Sequence, residues 1–348
     1  MVIQENVPLA PLTTLGVGGP ARFFVEASTA DEVREALRLA KSRGLALFVL
    51  GGGSNLVVSD AGWPGLVLKP SILGINHRHG RNGIAYWDVG AGEDWDGFVA
   101  TTVQHHSAGV ECLSGIPGSV GGTPVQNVGA YGQEVADTID AVVAIDVVSG
   151  EEVEFEKSDC GFAYRTSIFN TTARGRHVIL RVSYALVHDG EPRVAYADLQ
   201  KYFAGRPKPT LAAVREAVRQ IRASKAMLIT AGDEDARSAG SFFKNPVLSA
   251  EAFADLKAKA AARGLEIPSY PALASQRKVS AAWLVEQSGF SKGYGQGRVG
   301  TSRKHALAIV NRGRATAAEV MALKDEIQEK VKENWGIRLE PEPVFLGF

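Results

Sequence analysis

The sequence predicts an α+β fold in more than one domain, and three observations carry that reading. Strand-type and helix-type patterns mix along the chain without a repeat period, which argues for layered helices and sheets and against a solenoid or propeller. At 348 residues the chain is long enough for about two or three cores of roughly 150 residues each. Its 38 glycines are about 11% of the residues against a usual ~7%, and 23 of them fall in residues 1–150.

Residues 21–27 (ARFFVEA) are rich in strand formers, and Thr29 followed by Glu32 signals a capping box for the next helix. On that helix Val33, Ala36, Leu37 and Ala40 recur at helical spacing, and Gly44 stands where a terminating glycine belongs. A short apolar strand over residues 45–50 runs into Gly51, Gly52, Gly53, Ser54 and Asn55, and strands at 56–58 and 66–68 follow. A second block opens near residue 75, with a strand at 84–89, a helix near 95–106 and a strand pair at 142–148 and 151–156. Between that helix and that pair, residues 113–132 carry six glycines and two prolines among apolar residues, the pattern of an ordered loop. A strand at 177–187 closes the block. Residues 211–223 read as a helix, followed by a strand at 241–247, helices near 250–263 and 279–287, and a strand at 306–311. Thr316 and Glu319 then cap a long helix whose apolar face is Val320, Leu323, Ile327, Val331 and Trp335. A final strand spans 338–346.

Composition removes several function classes. Lys and Arg number 38 against 38 Asp and Glu, with no basic stripe, so no nucleic-acid partner is expected. Apolar runs such as 45–50 fall far short of the ~20 residues of a membrane helix, and no membrane partner is expected. The start of the chain has neither a basic nor an apolar leader region, which makes the cytoplasm the expected location. Cys112 and Cys160 form no C-x-x-C motif, and none of the seven histidines is paired with a Cys or acidic residue at ligand spacing, so neither a disulfide framework nor a metal site is expected. His77 and His79 read as loop residues, and His105 and His106 as the close of a helix. His305, at a strand start, is the one histidine kept as a ligand contact.

A glycine-rich loop after a strand can converge backbone N–H groups on a phosphate, because no Cβ intervenes. The loop at 51–55 lacks G-K-[ST] and is followed by a strand pattern, which excludes both the P-loop and the Rossmann fingerprint. A plain structural turn has about equal weight for that loop alone. With residues 115–132 and Gly16, Gly18 and Gly19 it makes three backbone-exposing stretches, the arrangement a large phosphate-bearing cofactor needs. Among polar clusters, Arg165 beside Tyr164 suits carboxylate recognition or a surface ion pair. Ser241, Lys244 and Asn245 mark a polar strand entry, and Glu340 and Glu342 lie between prolines on what, taken alone, reads first as a charged edge strand.

Seven motifs, in order along the chain, resemble the UDP-N-acetylenolpyruvoylglucosamine reductase family, the MurB flavoenzymes of bacterial cell-wall synthesis. They are TTLGVGGPA from Thr13, GGGSN from Gly51, GIPGSVGG from Gly115, QNVGAYG from Gln126, YRTSIF from Tyr164, GSFFKNP from Gly240 and LEPE from Leu339. The resemblance implies an FAD-binding domain of the vanillyl-alcohol-oxidase type, with subdomains at 1–75 and 76–207, and a substrate-binding domain at 208–348. It implies FAD held by Gly51, Gly52, Gly53, Ser54, Asn55, Gly115, Ile116, Gly118, Ser119, Gly122, Gly129, Ala130 and Tyr131. It further implies catalysis by Arg165, Ser241 and Glu342, and contacts to the UDP-sugar from Tyr164, Tyr196, Lys225, Asn245 and His305. Pro343 replaces an aliphatic residue common in the family, which leaves Glu340 open as the alternative acid.

The implied activity is reduction of UDP-GlcNAc-enolpyruvate by NADPH through FAD, by a monomer. Arg165 and a protonated Glu342 would stabilise the enolate charge, and Ser241 would protonate the carbon. Two rivals are weighed. An FAD-dependent oxidase of a sugar or alcohol would often carry flavin covalently on His or Cys, for which the resemblance offers no residue. A non-catalytic nucleotide-sugar binder would not need Arg165, Ser241 and Glu342.

Overall fold

Thr29 starts the first helix as its side chain requires: its Oγ1 accepts the Glu32 N–H at 3.2 Å, and Ala30–Ser42 follow as helix. The Glu32 carboxylate accepts from the Ser28 N–H at 2.7 Å, one residue earlier than a reciprocal box has it. The computed structural model describes residues 1–272 and 275–348. The chain divides into two units. The first comprises Met1–Val7, Pro20–Gly53 and Trp63–Leu228, the second Pro8–Gly19, Ser54–Gly62 and Ile229–Phe348.

In the first unit, the strands Pro20–Ala27 and Leu47–Val49 flank Trp63–Pro70 and pair with it in parallel. The Ala30–Ser42 helix buries Val33, Ala36, Leu37 and Ala40 in one core with Phe23, Val25, Leu66 and Leu68. That core also contains Ile145, Val178 and Leu180. These come from an antiparallel sheet in which His177–His188 lies between Ile139–Asp146 and Ile84–Gly90, with Glu152–Glu156 and Ile75–His79 at its edges. His77 and His79 are therefore strand residues and not loop residues. Asn82 and Gly83, both at positive φ, turn the chain so that His77 falls opposite Trp87, and the two rings stack at 4.6 Å. The helix Leu211–Ser224 belongs to this unit too, since Val214, Ala217 and Val218 are buried together with Cys112 and Leu199.

The second unit is built on the helix Ala317–Trp335. Its capping box forms between Thr316 and Glu319, and Val320, Leu323, Ile327, Val331 and Trp335 are all buried. Leu56–Val58, an apolar run with no exposed residue, pairs in parallel with Val344–Leu346. Gly18 passes so close that a Cβ there would stand 2.4 Å from the Val58 Cβ. Asp60 holds the segment onto the long helix, accepting the Ala317 N–H at 2.8 Å and the Ala318 N–H at 2.9 Å. A carboxylate on two unpaired N–H groups at a helix start is a strong cap. Asp60→Ala is expected to destabilise the protein by about 1–2 kcal/mol, read as a lower midpoint in urea denaturation with little change in slope; an unchanged midpoint would contradict the assignment.

Two expected strands shrink. Residues 241–247 retain only Val247–Leu248, and residues 338–346 only Val344–Leu346. Pro246, Pro341 and Pro343 carry no N–H, so neither stretch can sustain a ladder. What remains is an isolated bridge between Phe243 and Pro341. Among the described residues, no helix is long and apolar enough to cross a membrane.

Candidate active site

Within the first unit the two glycine loops touch backbone to backbone. A Cβ on Gly52 would lie 2.5 Å from the Gly118 Cα and 2.8 Å from the Ser119 nitrogen, so only glycine allows the approach. Gly53, Gly115 and Gly118 have φ of 64°, 71° and 134°, a region that L side chains rarely adopt. The second loop is pinned from outside: Trp95 N–H donates to the Gly118 oxygen, Val120 N–H to Glu93, Gly121 N–H to Ala91 and Gly122 N–H to Ser119. Gly115 N–H donates to the Asp96 carboxylate at 2.6 Å. Among the described residues, the backbone N–H groups of Gly51, Gly52, Gly53, Gly118 and Ser119 donate no hydrogen bond within the protein. Five unused amides in two touching loops fit a phosphate group, and the side-chain-free cradle fits a bulky cofactor.

Asp96 fixes more than Gly115. It also pairs with Arg215 at 2.5 Å and with Arg219. Burial raises its carboxyl, but the Arg215 and Gly115 hydrogen bonds and the two cations outweigh that and hold it below the usual range. Ile116 is half-buried against the core beneath the loop. Gly129 and Ala130 form a short hairpin with Gln133 and Glu134, turned through Tyr131 and Gly132, both at positive φ.

Arg165 sits at φ 55° in a tight turn closed by reciprocal bonds between Ala163 and Thr166. A left-handed arginine costs about 1 kcal/mol and persists only where the surroundings impose it. Here the Asn170 amide donates to the Arg165 carbonyl at 3.1 Å, and Arg165 Nη1 donates to the Gly129 carbonyl at 2.9 Å. Its guanidinium also lies over the Tyr164 ring at 5.6 Å. The fixed backbone and two contacts leave a preset cation beside a candidate cofactor loop.

Two further candidates lie in this unit. Tyr196 meets Tyr131 edge to face at 5.4 Å, and Lys225 pairs with Asp198 at 2.6 Å. Burial pushes the Tyr131 hydroxyl above its ordinary value, a rise that Arg222 and Lys225 offset only in part. The pattern reading passed over Arg222, which donates to the carbonyls of Gly115 at 3.1 Å and Met227 at 2.5 Å. Arg215, Arg219 and Arg222 recur at i, i+4 and i+7, a one-faced stripe that was available as a signal in the sequence.

The second unit sets Ser241 and Glu342 on neighbouring backbone. Glu342 N–H donates to the Phe242 carbonyl at 2.9 Å, and Lys244 N–H to the Glu340 carbonyl at 2.9 Å. Ser241 is held between Gly240, at φ 75°, and Phe242 and Phe243, both almost wholly buried. Asn55 joins the pair, its Nδ2 donating to the Glu342 carbonyl at 3.2 Å and its own carbonyl accepting the Val344 N–H at 2.9 Å. Glu340 is exposed and ion-paired with Lys244 at 2.7 Å. Asn245 spends its Oδ1 on the Ala281 N–H at 2.9 Å, at the start of a helix, and His305 Nδ1 accepts the Leu307 N–H at 3.1 Å. Among the described residues, no cluster of His, Cys, Asp or Glu is arranged to hold a metal ion.

Comparison with known proteins gives both units relatives. Residues 21–156 match a family described as FAD binding domain. Residues 233–346 match one described as UDP-N-acetylenolpyruvoylglucosamine reductase, C-terminal domain. The chain is 45% identical over 350 residues to the UDP-N-acetylenolpyruvoylglucosamine reductase of Thermobifida fusca (strain YX), covering 99% of this chain and 98% of that one. It is also 45% identical over 355 residues to the reductase of the same name from Streptomyces coelicolor, covering 99% and 91%. The solved structure of the reductase from Thermus caldophilus aligns with a TM-score of 0.66 at 27% identity, covering 99% of this chain and 100% of that one.

Proposed function

The chain belongs to the UDP-N-acetylenolpyruvoylglucosamine reductase family, and on that premise we propose how its own residues divide the work. The protein is an NADPH-dependent flavin oxidoreductase that reduces UDP-GlcNAc-enolpyruvate to UDP-N-acetylmuramate for peptidoglycan synthesis. Bound FAD, reduced by NADPH, supplies the hydride.

The protein residues bind, orient and move a proton. The amides of Gly51, Gly52, Gly53, Gly118 and Ser119 hold the cofactor's phosphates. Arg165, anchored on Gly129, pairs with the substrate carboxylate and stabilises negative charge as it spreads there from the adjacent carbon, an effect of a few kcal/mol for a preorganised cation. Ser241 Oγ gives its proton to that carbon. A hydroxyl is a weak acid, so this step depends on the strong basicity of the enolate. Glu342, protonated, supports the same charge by hydrogen bonding, and Lys225, Asn245, Tyr164, Tyr196 and His305 receive the UDP-sugar.

The observation that carries the proton assignment is the backbone pairing of residues 242–244 with 340–342, which makes Ser241 and Glu342 neighbours and turns Glu340 out to Lys244. It favours Glu342 over Glu340 as the acid. We further propose that the protein works as a monomer in the cytoplasm. Cys112 and Cys160 are both free and buried, and burial pushes Cys160 up to about 11 and Cys112 higher still, which leaves both unreactive. An anaerobic titration tests the reading as a whole. The purified protein is expected to be yellow, to be bleached by NADPH and to be reoxidised by UDP-GlcNAc-enolpyruvate. A colourless preparation that takes up no added FAD would overturn it.

A further inference from the structure

We infer that Asp198 is a displaceable counterion on Lys225, a positioning residue that makes the protein select for ligands anionic enough to replace it. The inference rests on the reading of Lys225 as a UDP-sugar contact and adds a specificity element to it. The segment that carries Asp198 is anchored at its far end. Leu199 is fully buried with Val214, Ala217 and Val218, and Tyr202 donates to Gln220 Oε1 at 2.8 Å. Towards its near end Tyr196 meets Tyr131 and Asp198 pairs with Lys225, and both partners are residues assigned here to a ligand.

Lys225 and Asp198 are each more than a third exposed, with side-chain accessibilities of 37% and 38%. An ion pair that wet is individually weak and can be exchanged. Arg222 and Tyr131 lie in the same electrostatic neighbourhood, and Tyr131 feels Asp198 as well as Lys225. An incoming diphosphate carries more charge than one carboxylate, so it wins Lys225 and leaves Asp198 to solvent. A neutral sugar lacks the charge to do so. The arrangement costs affinity for the true substrate, because the phosphates must break the Asp198–Lys225 pair before they can take Lys225, and gains discrimination against weaker anions.

The test uses the full-length holoenzyme. Asp198→Asn and Asp198→Ser are expected to lower KM for UDP-GlcNAc-enolpyruvate about two- to fivefold, the effect of a wet ion pair that the ligand no longer has to break, with kcat within about twofold. They should also steepen the rise of KM with added salt, because no Asp198–Lys225 pair is left whose own screening offsets that of the diphosphate. In a Lys225→Met background the Asp198→Asn effect should vanish. An unchanged or higher KM in both Asp198 variants, or an Asp198 effect that survives in Lys225→Met, would overturn the inference. If Lys225→Met alone leaves KM unchanged, the reading of Lys225 falls, and the inference falls with it. A raised KM in Lys225→Met combined with a raised KM in Asp198→Asn would overturn the counterion role alone.

Discussion

Ser241→Ala is expected to leave the bleaching of FAD by NADPH nearly intact while slowing turnover of UDP-GlcNAc-enolpyruvate by about 10²–10⁴-fold, the usual contribution of a positioned general acid. The split follows from the proposed chemistry, because the first half-reaction puts no proton on carbon and the second cannot finish without one. Loss of fold is not a rival cause. The Ser241 hydroxyl is one group on a segment fixed by Phe242, Phe243 and the hydrogen bonds to Leu307, Glu340 and Glu342. Stopped-flow absorbance under anaerobic conditions reads the two half-reactions separately. Equal loss in both would show that Ser241 has been given the wrong role.

Gly52→Ala tests the cofactor cradle. The new methyl would stand 2.5 Å from the Gly118 Cα, where the obstacle is backbone and cannot rotate away. Overpacking of this kind costs typically 1–3 kcal/mol. Because relief comes from parting the two loops that would hold the phosphates, the cost should fall on FAD affinity, up to about a hundredfold weaker binding at the upper end. Titration of apoprotein with FAD, followed by quenching of flavin fluorescence, gives the number. An affinity within about twofold of the parent would mean that the contact between Gly52 and Gly118 does not shape the site.

Much of this site was legible because its parts are written locally. Glycine excess marks loops that must expose backbone, and the strand that follows Gly51 to Asn55 removes the familiar alternatives. Arg222 and Asp198 were not legible in the same way. The arginine stripe marks a helix face without saying what it touches, and Asp198 lies on a short helix, Ala197–Phe203, that no sequence pattern announces; only the packing of Leu211–Ser224 against Cys112 and Leu199 brings Arg222 to Gly115 and Lys225 to Asp198.

Helix starts, apolar faces and the α+β class were determined by the sequence alone, since hydrogen-bond capping and periodicity act over a few residues. Tertiary structure alone decided that Leu56–Val58 leaves its neighbours to pair with Val344–Leu346, that Phe243 bridges to Pro341, and that Glu340 turns to Lys244 while Glu342 stays beside Phe242. Those choices depend on which distant carbonyl or carboxylate is near enough to satisfy a group, and proximity between residues some 100 to 290 positions apart is not encoded in any local pattern.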